Sequence, residues 1–133
     1  MFDPVINYLP AFASFFLSAI VLLLVFLAIY IRVTPYNELA LIREGNEAAA
    51  ISLGGAVIGF ALPIAVAVAV SHNLYTMIAW GLVASVVQLL TFLAARLAAP
   101  RLSESIPQGK LASGIFLASL AIGVGILNAG CIV

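Results

Sequence analysis

Along the chain, apolar residues fall into four long blocks separated by short polar or charged clusters. The blocks cover 10–31, 48–70, 74–95 and 111–133, and none contains Asp, Glu, Lys or Arg. Each holds 22 or 23 residues, which as an α-helix spans about 33–35 Å, enough to cross a hydrocarbon core of about 30 Å with some tilt. Backbone groups at that depth have no water to bond, so the blocks must be helices. A buried helix hairpin of a soluble protein would need polar outer faces, and these blocks have none. The pattern predicts an all-α integral membrane fold: four transmembrane helices in one domain over 1–133, with loops 32–47 and 96–110 on one side and a Ser71-His72-Asn73 turn on the other.

Composition sharpens this into an exclusion. Of 133 residues, 65% are hydrophobic and 8% charged, whereas an average soluble domain is about half apolar and about a quarter charged. An ordinary soluble enzyme, a nucleic-acid binder and a disordered chain are all ruled out. The charges sum to zero, so no polyanionic partner is implied. A single cysteine, Cys131, permits no intrachain disulfide and no cysteine-built metal site. Nothing basic precedes the first block, which is also too long for a leader's apolar core, so it reads as a retained helix.

The few charges set an expected orientation. Arg32, Arg43, Arg96, Arg101 and Lys110 all lie in segments 32–47 and 96–110, or at their edges. That places both loops in the cytoplasm and both termini on the periplasmic side. Tyr8, Tyr75 and Trp80 then fall near the outer interface, Tyr30 and Tyr36 near the inner one.

Shifting the sequence by 64 residues against itself pairs 45–65 with 109–129 and gives seven identities in 21 positions. The same offset superposes Arg32 on Arg96. The expected architecture is therefore two parallel helix-hairpin repeats, 1–70 and 71–133, related by an axis along the membrane normal. The offset also aligns Gly55 and Gly59 with Ser119 and Gly123, small residues four apart that let another helix approach closely. Such stripes serve either packing within the bundle or an interface between copies of the chain.

Polar groups at membrane depth are few. Ser85, Gln88 and Thr91 share one narrow helical face. They either fix bundle register by interhelical hydrogen bonds or line a pore in an oligomer. Pro63 has no N–H for the Gly59 carbonyl, which predicts a kink and a freed acceptor of the kind transporters use to bind ions. With no ionisable side chain inside a span, a proton relay of the usual sort is not expected.

In segment 32–47, Thr34 is expected to cap a short helix with Pro35 at its first position and Gly45 at its end. Asn46 then caps the second span, with Glu47 near that helix's positive end. The helix either lies on the inner leaflet or forms a solvated turn, with Glu38, Arg43, Glu44 and Asn46 as candidate contacts for a cytoplasmic or membrane protein partner. Segment 96–110, with Pro100 and Pro107, is expected to hold little regular structure.

The expected topology gathers Asp3, His72 and Cys131 on the outer face, the only combination that could suggest a Cys-His-Asp site. Two lie near chain ends, where a rigid base–nucleophile contact is hard to hold. No catalytic residue, cofactor or metal is expected.

The run Asn37-Glu38-Leu39, then Gly45-Asn46-Glu47-Ala48-Ala49-Ala50-Ile51-Ser52-Leu53-Gly54-Gly55, continuing through Gly59-Phe60-Ala61-Leu62-Pro63, resembles the YjfL-type bacterial inner-membrane proteins, the domain of unknown function 350 family. The resemblance covers essentially the whole chain. It implies a small bacterial inner-membrane protein of two hairpin repeats, brings no reaction, substrate or ligand, and offers proximity to envelope-stress proteins as a lead about partners. The expected role is a non-catalytic scaffold that sits in membrane lipid, forms a homo-oligomer and recruits partners. An oligomeric channel for ions or small solutes is the alternative, and a membrane enzyme a distant one.

Overall fold

The computed structural model describes residues 3–132, with the Asp3 side chain outside the described set. Six helices follow in order: α1 (Asp3–Val33), α2 (Glu38–Arg43), α3 (Glu47–Val70), α4 (Leu74–Ala98), α5 (Leu102–Ser105) and α6 (Leu111–Cys131). Four of them, α1, α3, α4 and α6, are long and apolar enough to cross a membrane. The described residues are thus arranged as an integral membrane protein. Where the apolar block begins at 10, the helix begins at Asp3, so α1 is the longest of the four.

Contacts give the relative directions. On the α3–α6 seam Ala48 faces Gly114, Gly55 faces Ala118, and Gly59 faces Ala121 and Gly125, so the two helices run parallel. On the α1–α4 seam Leu22 meets Gly81 and Tyr30 meets Phe92 edge-on at 5.5 Å between ring centres, so these run parallel as well. α3 sits at the centre, packed most extensively on α6 and also on α4, α1 and α2. Phe26 stacks on Phe60 at 4.5 Å and ties α1 to that centre. Nearer its start, α1 stands apart from α3 across an apolar groove of about 500 Å³ lined by residues such as Phe12, Phe16, Phe60 and Ile64.

Glycine sets the approach of α3 and α6. A Cβ on Gly55 would run into Ala118, one on Gly59 into the Ala121 backbone, and one on Gly125 into the Gly59 backbone. Close backbone approach of this kind is how helices gain dispersion contact in lipid, where no hydrophobic force separates helix from tail. The expected pairing of stripes needs correction here. Ser119 and Gly123 are exposed, and a Cβ on Gly123 would meet nothing within 4 Å. α6 instead buries Gly114, Leu117, Ala118, Ala121 and Gly125. Gly114, Ala118, Ala121 and Gly125, spaced four, three and four, form a longer small-residue stripe than the two-residue Ser119–Gly123 step, so that face makes the closer fit.

Both connections that follow the arginine-ended helices stop at a left-handed glycine. Gly45 has φ +85° and Gly109 φ +78°. Before the first, Gly45 N–H donates to the Ile42 carbonyl and Asn46 N–H to that of Leu41; before the second, Gly109 N–H donates to Ile106 and Lys110 N–H to Ser105. Each is the paired hydrogen-bond pattern that ends a helix at a left-handed residue. Two expectations fail in these segments. The cap of α2 is Asn37, whose side chain accepts from Ala40 N–H at 3.2 Å, and not Thr34, whose hydroxyl is engaged elsewhere. Segment 96–110 also carries the single-turn helix α5, held down because Leu102 and Ile106 are buried.

Candidate functional site

Two polar arrangements lie inside the bundle, and each departs from what an apolar core requires. The first is Gln88, only 2% exposed. Its Nε2 donates to the Gly59 carbonyl and to the Ala121 carbonyl, both at 3.1 Å. One side chain on α4 thereby ties α3 and α6. The Gly59 acceptor is the one Pro63 leaves without its helical donor, and α3 runs unbroken through Pro63. Gln88 supplies the missing N–H, so the idea of a freed carbonyl binding an ion is overturned. Ser85 and Thr91 are half-buried and bond back to their own helix, Ser85 to the Gly81 carbonyl at 3.0 Å and Thr91 to that of Val87 at 2.8 Å. Of the two alternatives for Gln88, the structure shows interhelical hydrogen bonds within a single chain.

The second arrangement surrounds Glu38, the first residue of α2. It was expected among the loop's partner contacts, yet its exposure is 0%. Thr34 Oγ1 lies 2.7 Å from Glu38 Oε1, 2.9 Å from the Ile31 carbonyl oxygen and 3.4 Å from that of Tyr36. Glu38 Oε2 and the Tyr36 hydroxyl are buried with no hydrogen-bond partner. The Tyr30 phenol, from α1, comes close enough to feel the Glu38 charge. Ser52 of α3 lies beside Tyr36, and its own proton goes to the Ala49 carbonyl at 3.1 Å. Burial lifts the Glu38 carboxyl from the usual 4.5 to about 7, against the opposing effect of Thr34. Burial first, and the Glu38 charge second, push the Tyr36 phenol up as well. A charged residue in a loop is ordinarily solvated, which is why the sequence pointed the wrong way. The polar neighbours Thr34 and Tyr36, four and two positions earlier, were the available signal.

The other loop residues stay near the surface. Arg43 and Glu44 are exposed and Asn46 is half-buried. Asn46 caps α3 by accepting from Ala49 N–H at 3.0 Å. Its Nδ2 also reaches the Ile106 and Pro107 carbonyls at 2.9 and 3.2 Å, joining the two connections. His72 and Cys131 are exposed. Among the described residues, no three His, Cys, Asp or Glu side chains gather where a metal ion would be held.

Known proteins match this chain over nearly its full length. It is 36% identical over 127 residues to an inner membrane protein of Escherichia coli K12 named UPF0719 inner membrane protein YjfL, covering 96% of each chain. UPF0719 transmembrane protein YshE of Bacillus subtilis is 27% identical over 125 residues, covering 92% of this chain and 93% of its own. No solved structure matches. The model of the family described as Domain of Unknown Function (DUF350) spans residues 4–132, and the chain belongs to that family.

Proposed function

We propose that this protein is a multi-pass component of the bacterial inner membrane that acts as a non-catalytic, self-associating scaffold. It is built as two parallel hairpin repeats with both termini on the periplasmic side. The observation that carries the reading is the Gln88 tie: the side-chain nitrogen of the one amide near the middle of a span is engaged inside one chain, on two carbonyls. A bundle closed in this way has a packed centre and an apolar exterior, which suits a structural part better than a conduit.

Further observations support the details. The five basic residues favour a cytoplasmic position for both long connections, and the inner-membrane name of the relative from E. coli agrees with the compartment. The parallel course of α3 and α6, and of α1 and α4, is what two hairpins in one orientation require. Ser119 and Gly123 turn outward after internal packing has used the other face of α6, leaving a smooth strip for a second copy. Exposed Arg43 and Glu44 offer charge to a protein partner on the cytoplasmic side. The apolar groove between α1 and α3 accepts a lipid chain.

Subunit counting by single-molecule photobleaching in lipid nanodiscs tests the scaffold. More than one copy per disc is expected at low loading, falling to one in Ser119→Leu/Gly123→Leu. A single copy in the unmodified chain at every loading would remove self-association. Solute flux through proteoliposomes that Gln88→Leu abolishes would remove the non-conducting reading.

A further inference from the structure

The hydrogen-bond geometry at Thr34 requires more protons than threonine owns. Its oxygen makes two short contacts with oxygen atoms, to the Ile31 carbonyl and to Glu38 Oε1. The hydroxyl carries one proton and can serve one of them. A neutral Glu38 satisfies both: the carboxyl O–H donates to Thr34, and Thr34 donates to Ile31. An ionised Glu38 leaves two acceptors competing for a single proton.

The surroundings argue the same way. Glu38 is fully buried and its Oε2 has no partner. The groups facing it are Tyr30 from α1, Thr34 and Tyr36 from the connecting segment, and through Tyr36, Ser52 of α3. None of these is a cation, and burial raises the carboxyl while Thr34 opposes it. A buried carboxylate with no cation, no donor on Oε2 and a single hydroxyl contested by a carbonyl on Oε1 is costly enough that the group either stays neutral or leaves. Packing alone does not call for a carboxyl there. Sixty-four residues on, the first residue of α5 is Leu102, buried at 5% exposure in a turn with the same glycine ending.

We propose that Glu38 is a proton-binding site, and that loss of its proton releases segment 34–43 from α3 and opens this end of the α1–α3 hairpin. The ligand is the proton itself: the contact between Thr34 and Oε1 calls for one hydrogen. On release the proton passes to solvent and the carboxylate becomes hydrated, which it can do only by moving α2 outward. The segment is anchored for such a swing, since α2 ends at the left-handed Gly45 and α3 is capped independently by Asn46. Proton binding at Glu38 is independent of the scaffold role and of which side of the membrane the site faces.

The test uses the full chain in lipid nanodiscs, with Cys131→Ser and a nitroxide at Leu39→Cys, an exposed position next to Glu38. Continuous-wave electron paramagnetic resonance is followed from pH 5 to pH 9. A restrained spectrum is expected at pH 5, giving way to a mobile component with a midpoint near 7. Glu38→Gln should hold the restrained spectrum throughout. Glu38→Leu, which copies Leu102, should do the same and decides the matter if the amide variant fails to fold. In parallel, the infrared band of a protonated carboxyl should fade over the same range and be missing in both variants. A pH-independent spectrum in the parent chain, a transition that survives in the variants, or a carboxylate band already complete at pH 5 would each overturn the proposal.

Discussion

The two halves of the chain build the same turn and then use it differently. After α1 and after α4 a short helix ends at a left-handed glycine, Gly45 in one case and Gly109 in the other, with matching backbone hydrogen bonds. The residues placed on that shared frame diverge. The short helix opens with buried Glu38 in the first half and buried Leu102 in the second. The next helix is capped by a bonded Asn46 side chain in the first half and by Lys110, which makes no capping bond, in the second. The packing face diverges too: α3 buries Gly55 and Gly59, while α6 exposes the residues aligned with them, Ser119 and Gly123. A turn is dictated locally by one residue's backbone freedom. A packing face depends on how many neighbours a helix must serve, and α3 serves α1, α2, α4 and α6 whereas α6 serves mainly α3 and α4.

The largest effect should come from the packing faces. In Gly59→Leu the new side chain would have to enter the Ala121 backbone, and overpacking of that severity is expected to cost about 3 kcal/mol or more, the upper end for a site that cannot give way. Gly123→Leu meets open space and should stay within about 0.5 kcal/mol of the parent, as surface changes do. Unfolding of both variants in mixed micelles checks the contrast. Equal destabilisation would mean that α6 presents the Ser119–Gly123 face to α3 after all.

Exchanging the residues that open the two short helices comes next. Burial raises the Glu38 carboxyl from 4.5 to about 7, so the folded chain binds this proton more tightly than the unfolded one. Its stabilising contribution is complete below about 4.5, declines as pH rises, and is gone above about 7. Glu38→Leu should remove about 3 kcal/mol of difference in unfolding free energy between pH 4.5 and pH 8. Leu102→Glu should add a slope of the same sign. If the parent and Glu38→Leu have the same pH profile, the two positions are equivalent and the carboxyl is incidental.

The contrast between the halves also explains what could be read in advance. Four spans were legible because charge is excluded from lipid, and the Gly45 and Asn46 signals were legible because each acts within a few residues. Glu38 was not, because its burial depends on α1, the connecting segment and α3 closing around it, a tertiary event. The choice of Gly114, Ala118, Ala121 and Gly125 for the α3 seam was present as spacing, whereas the internal alignment matches Gly55 and Gly59 to Ser119 and Gly123, which face outward. The destination of Gln88 was written in two places: Pro63 orphans one carbonyl in the middle of α3, and Gln88 is the one amide near the middle of a span. Only their proximity was missing.

That pairing links the two halves and has no counterpart at the 64-residue offset, which places Leu127 opposite Pro63 and Leu24 opposite Gln88. Gln88→Leu should destabilise by about 1–2 kcal/mol, the range of interhelical hydrogen bonds in model membrane helices. Pro63→Ala restores an N–H for the Gly59 carbonyl, so Gln88→Leu should cost less in that background. A double-mutant cycle with coupling of about 1 kcal/mol is expected. Strict additivity would mean that the tie to Ala121 carries the whole effect.

The smallest effect concerns the caps. Asn46 satisfies a free N–H at the start of α3, while the start of α6 has Lys110, whose positive charge faces the positive end of a helix. Lys110→Asn should place an acceptor three residues ahead of the Ser113 N–H, as Asn46 is placed ahead of Ala49, and stabilise by about 0.5–1 kcal/mol. Lys110→Ala separates the two causes, because it removes the charge without supplying a cap. If the alanine variant gains as much as the asparagine, electrostatics accounts for the difference between the halves. If only the asparagine gains, the second half lacks a cap that its turn is already shaped to receive. Reporter fusions to both termini must show unchanged topology, since Lys110 is one of the five basic residues that favour a cytoplasmic position for the loops.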